Sequence, residues 1–199
     1  MEEVAYNTEE LVLKDEKLID IWGRRNPMFE TKYENSVIRI ISRYGEKFNK
    51  KTDDRGKLFG NGYEPYIIAF FIGLYSKKRI PLSEEKKKLG WALENWGNFE
   101  ARNLRRPYPS LRTYIFLALV ARTDIDWIAV DKGDIKVSSA VTSLINTMEE
   151  YANYGFSVME EKLNEDPGYF FSHRSFLDIF LQLTDQSTKN NQSEEVEEL

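Results

Sequence analysis

The sequence contains no cysteine. That absence excludes disulfides, thiolate metal sites and cysteine nucleophiles together. Histidine occurs once, as His173. A Ser-His-Asp triad therefore has one available base, and a multi-histidine zinc site has too few ligands. Long apolar runs are missing as well. The longest, Tyr66 to Tyr75 (YIIAFFIGLY), is about half of the roughly 20 residues a spanning helix needs, so it predicts a buried core helix and no membrane contact. Met1 to Asn7 carries no basic stretch followed by an apolar run, so no signal peptide is expected. With no cysteine to protect, a reducing cytoplasm is the expected location.

What is present is an ordinary globular composition. The 199 residues are 41% hydrophobic, 14% aromatic and 31% charged. That excludes a wholly disordered chain and a collagen-like repeat, and the length suits one domain that needs no covalent staple. The formal net charge of −5 conceals a segregation along the chain. Residues 1–20 carry −5, residues 21–122 carry +11, and residues 123–199 carry −11. Such a split points to nucleic acid or to an acidic partner surface, unless folding mixes the segments into mutual neutralisation.

Periodicity predicts a mainly α protein. Glu9 to Trp22 fits a first helix capped by Thr8. Tyr33 to Phe48 repeats its apolar residues at three- and four-residue spacing. Glu64 to Lys77 reads as a buried central helix with Pro65 in its first turn and basic residues at its end. Ser83 to Leu93 opens with a capping signature and predicts a short helix. Trp91 to Phe99 reads as a packed loop. Ser110 to Ala121, Val137 to Leu163 and Phe176 to Leu183 complete the set. Trp127 to Val130 is strand or helix, and periodicity does not decide which. The expectation is a single-domain, irregular helical bundle over 1–183, with at most one short β-ribbon near 126–137. The acidic stretch 184–199 has few hydrophobes and is expected to be a disordered tail.

Several segments have the residue types for chemistry or binding. Arg102 to Tyr114 (RNLRRPYPSLRTY) sets Arg102, Arg105, Arg106 and Arg112 beside Tyr108. Arginine forks hold phosphate oxygens in pairs, and tyrosine stacks on bases. Arg39, Arg43 and Lys47, spaced by four, share a helix face that fits a phosphate track or a solvated surface. Lys77-Lys78-Arg79 and Lys86 to Lys88 carry the same two readings. Asp124, Asp126, Asp131 and Asp134, with Lys136 near them, hold the residue types of a magnesium nuclease, although turn residues capping the long helix are the better account. Gly60-Asn61-Gly62 resembles a phosphate-cradling turn but lacks the remainder of either glycine-rich signature. No catalytic residue, metal ligand or cofactor site is assigned.

Two stretches resemble a known family. One is Leu58 to Leu82, an apolar helix running into the basic turn Lys78-Arg79-Ile80-Pro81-Leu82. The other is Thr123 to Leu163, which contains Met148-Glu149-Glu150-Tyr151-Ala152-Asn153-Tyr154-Gly155-Phe156. Together they resemble small helical accessory proteins of bacterial DNA-phosphorothioation (Dnd-type) defence systems. The resemblance implies a setting of DNA modification or phage defence and carries over no catalytic residue. The chain also resembles short bacterial proteins labelled glycoside hydrolases of the glucoamylase type. That chemistry needs a large barrel of paired helices and two carboxylates across a sugar cleft, for which the chain is too short.

The sequence-based expectation is therefore a non-enzymatic accessory module that binds nucleic acid or a nucleic-acid-bound complex, with the oligomeric state open. The alternatives are an assembly subunit that pairs basic with acidic surfaces, a magnesium nuclease or a sugar hydrolase.

Overall fold

A computed structural model of the chain describes residues 17–45, 57–97 and 109–184. Its helices, in chain order, are α1 (Leu18–Gly23), α2 (Arg39–Ile41), α3 (Tyr63–Ser76), α4 (Pro109–Arg122), α5 (Trp127–Lys132), α6 (Val137–Glu165) and α7 (175–184). A π-helical segment, Glu34–Ile38, runs directly into α2. Two short strands, β1 (Met28–Glu30) and β2 (Lys86–Lys88), pair antiparallel with Met28 opposite Lys88 and Glu30 opposite Lys86. The protein is mainly helical, as expected, with this ribbon as the one sheet among the described residues. No helix among them is long and apolar enough to cross a membrane.

The ribbon does not lie near 126–137. There the Asp126 carboxylate accepts the Ala129 N–H at 3.0 Å and starts α5, and Gly133 closes it in the left-handed conformation (φ 83°). The helix expected from Ser83 is replaced by β2. Glu30 takes the Ser83 N–H at 2.8 Å, and the Thr31 N–H donates to the Glu85 carbonyl at 2.9 Å, which pins the segment beside β1. The helix expected over 33–48 stops at Ile41. The Ser42 hydroxyl bonds back to the Ile38 carbonyl at 2.6 Å, its backbone turns extended, and it bridges to Phe59. The described part of the predicted loop Trp91 to Phe99, residues 91–97, contains the 3-10 turn Leu93–Asn95. The start of the first predicted helix and the tail 185–199 lie outside the described residues, whereas Thr184 belongs to α7.

The chain divides into two compact units. The described residues of the first are 17–27, 90–97 and 109–147. It is built around Trp22, which is wholly buried with the Phe116 ring 5.5 Å away, together with Leu93, Trp96, Ile115 and Leu119. The Leu93 N–H donates to the Arg25 carbonyl at 3.0 Å and ties the 3-10 turn to the end of α1.

The described residues of the second unit are 28–45, 57–89 and 148–184. Its core is the packing of α3 against the 148–165 part of α6. Helix α3 starts cleanly because the Glu64 carboxylate accepts the N–H groups of Gly60 and Asn61 at 2.8 and 3.0 Å. The two helices touch backbone to backbone. A Cβ on Gly155 would lie 1.8 Å from the Ala69 carbonyl oxygen, and one on Gly73 would lie 2.1 Å from that of Tyr151. Phe156 then fills the centre, stacked on Tyr33 (5.3 Å, 24°) and meeting Tyr66 edge-on (5.7 Å, 78°). All three side chains are buried. The predicted stripe of α6 from Met148 to Leu163 is buried as its spacing requires.

No side chain relieves these clashes by rotating, because the obstructing atoms are backbone. Gly155→Ala is expected to lower unfolding free energy by about 1–3 kcal/mol or more through overpacking, measured by denaturant titration. An exposed control, Gly90→Ala, has open space for its Cβ but a φ of 100°, so its smaller cost comes from backbone strain alone.

Candidate nucleic-acid interface

In the second unit, a buried carboxylate organises a lysine-rich edge. Glu30, 5% exposed, accepts hydrogen bonds from the Ser83 N–H at 2.8 Å and the Asn153 amide at 3.0 Å. Its other oxygen pairs with the Lys32 ammonium at 2.7 Å. Asn153 on α6 is itself buried, and its amide also donates to the carbonyls of Ile80 (3.2 Å) and Pro81 (3.1 Å). The Ile80 N–H donates to the Glu150 carbonyl at 3.1 Å. The Arg79 guanidinium lies 3.7 Å from the Glu150 carboxylate and 5.7 Å from the Tyr151 ring centre. The basic turn Lys78–Leu82 and the stretch Glu150–Gly155 are thus fastened to each other. These are the two motifs on which the family resemblance was drawn.

The α3 terminus adds a second constraint. The Lys78 N–H donates to the Gly73 carbonyl (3.1 Å) and the Lys77 N–H to the Leu74 carbonyl (3.2 Å). This is a Schellman closure, which places Lys77 in the left-handed conformation at φ 53°. Glycine is the usual residue there because a Cβ is disfavoured. Lys78 extends over the Tyr154 ring at 5.6 Å.

Residues 77–88 hold Lys77, Lys78, Arg79, Lys86, Lys87 and Lys88 against Glu84 and Glu85. Of these cations, all but Lys87 are exposed. Lys87 turns inward, its ammonium paired with Glu34 and lying over the Phe29 and Tyr44 rings at 5.6 and 5.5 Å. Among the described residues, Lys77, Lys78, Lys86 and Lys88 have no carboxylate partner.

The sequence-predicted residues are distributed unevenly around this edge. Arg39 holds Glu34 through two hydrogen bonds, at 3.0 and 2.7 Å, and so shares that carboxylate with Lys87. Arg43 is half-buried on the same unit. Arg112 belongs to the first unit, half-buried, with its guanidinium 3.5 Å from the Glu94 carbonyl. Lys47, Arg102, Arg105, Arg106 and Tyr108 lie outside the described residues. Sequence reasoning did not single out Glu30 or Asn153. The available signal was a polar residue, Asn153, set within the buried stripe of α6.

Two of the features that suggested chemistry have structural occupations. Asp126 caps α5. The described residues contain no group of three or more acids or histidines placed to hold a metal. The amides of the Gly60-Asn61-Gly62 turn that would face a phosphate are held by Glu64. His173 stands exposed in a turn. Burial by itself would push the Glu30 carboxyl up. Hydrogen bonds from Lys32, Ser83 and Asn153, with the Lys32 charge, outweigh it and hold the carboxyl below the ordinary glutamate value. An ionised acid of this kind suits anchoring and is the opposite of a general acid kept protonated near neutrality. No protein-family model, no curated protein and no solved structure matches the chain.

The direction of the Glu30 shift fixes a pH dependence. The folded carboxyl is the stronger acid, so the unfolded chain binds more protons as pH falls. The stabilisation is fully present above the ordinary glutamate value of about 4.3 and is lost as pH falls through the lower folded value. Wild type is expected to lose melting temperature on acidification below about pH 4–5, and Glu30→Gln to start lower with a flatter profile. Melting curves across that range check both.

Proposed function

We propose that this protein is an accessory module, without catalysis of its own, that binds nucleic acid or a nucleic-acid-bound complex through the edge 77–88. The observation that carries this reading is Lys77. A long cationic side chain occupies a left-handed position where glycine would be less strained, and strain of this sort concentrates where a side chain is used. Lys78 and Arg79 are exposed on the turn that follows Lys77, held by hydrogen bonds from the buried Asn153, and Lys86 and Lys88 are exposed on β2. Several exposed cations within twelve residues suit contacts with phosphates, which carry affinity without sequence preference. Arg39, Arg43 and Lys47, and separately Arg102, Arg105, Arg106, Tyr108 and Arg112, belong to the same proposal on sequence grounds. The Dnd-type resemblance supports a bacterial DNA-modification or phage-defence setting in the cytoplasm.

The test is a salt titration of binding to a duplex and to a single strand. Wild-type affinity is expected to fall linearly on logarithmic axes as salt rises. Lys77→Ala/Lys78→Ala is expected to flatten the slope by about 0.9 per lost contact on duplex DNA, or about 0.7 on a single strand. Lys77→Gly is the sharper variant. It is expected to raise stability by up to about 1 kcal/mol by removing the left-handed strain, while weakening binding. A wild type that binds no nucleic acid even at low salt, or a Lys77→Gly variant with unchanged affinity and slope, would overturn the reading. Absence of any binding would favour the assembly alternative.

A further inference from the structure

We infer that the nucleic acid taken by this edge is single-stranded, with one base stacked on Tyr75. The inference rests on the function proposed above and names its substrate class. Tyr75 is 56% exposed in the last turn of α3, two residues before Lys77. Its α-carbon is therefore at most about 7 Å from that of Lys77. The ring is not loose. Phe180 of α7 meets it at 5.7 Å and 73°, a T-shaped rather than a stacked contact. Ile80, three residues after Lys77 and 40% exposed, adds apolar surface on the turn.

An exposed aromatic near lysines that have no carboxylate partner among the described residues matches the two requirements of single-strand binding. The cations track the phosphates, and the ring stacks a base of any identity. A duplex keeps its base faces stacked inside, so it reaches the lysines but has no use for Tyr75. The shared chemistry is a flexible polynucleotide with free base faces, from either DNA or RNA.

The test uses the full chain and three labelled probes at low salt: oligothymidylate, oligouridylate and a duplex of equal length, read by fluorescence anisotropy. Wild type is expected to prefer one or both single strands to the duplex, and the two single-stranded arms separate DNA from RNA. Tyr75→Ala is expected to weaken single-strand binding by roughly 5- to 150-fold, the range for loss of one stacked base, with its salt slope unchanged. Tyr75→Phe keeps the ring and should retain binding. Lys77→Ala/Lys78→Ala should weaken all three probes and flatten their slopes. Unchanged melting temperature in Tyr75→Ala, read alongside, assigns its loss to the interface. Equal affinity for duplex and single strand, or a Tyr75→Ala variant that binds single strands like wild type, overturns this inference and leaves the general reading standing. No binding of any probe by wild type overturns both.

Discussion

The second unit depends on a contact that involves no side chain. Helices α3 and α6 approach until the Gly73 and Gly155 α-carbons face opposing carbonyl oxygens at distances that exclude a methyl group. Dispersion falls off steeply with distance, so this closeness lets the flanking large residues interlock. Phe156 reaches Tyr33 and Tyr66 in one cluster because the backbones on either side leave no slack. The same approach sets Asn153, two residues before Gly155, against the chain leaving α3.

From that placement the polar arrangement follows. The N–H groups of this buried amide are matched by two carbonyls and a carboxylate. Glu30 tolerates its burial because an ammonium, a backbone N–H and an amide all converge on it. Removing one partner from such a cluster costs more than the bond itself, since the others are left buried and unmatched. The exposed lysines are therefore carried by a rigid turn. A rigid presentation reduces the ordering cost of binding a polyanion.

Most of the helical architecture was legible in the sequence, and the exceptions have specific causes. The stripe of α6 and the apolar run of α3 were readable because long periodic segments bury one face. Strand β2 was not, because its inward position is Lys87. A lysine whose stem covers Phe29 and Tyr44 while its ammonium meets Glu34 makes an alternating strand look like a uniform basic run. The early end of α2 depends on Ser42 meeting Phe59, a contact between distant parts of the sequence. At the candidate interface, the cationic residues were visible by composition. Which of them are paired depended on tertiary partners: Arg39 answers to Glu34, and Lys77 to nothing charged among the described residues. Glu30 carried no local mark, since one acid between an apolar strand and a lysine looks like surface.

The order of synthesis gives the glycine contact one more meaning. Tyr151 leaves the ribosome about 80 residues after Gly73, a delay of roughly 4–16 s at about 5–20 residues per second. Throughout that interval the apolar run of α3 has no α6 to pack against. The nascent chain thus carries an uncovered apolar helix face for seconds, until the segment that supplies Tyr151 and Gly155 arrives.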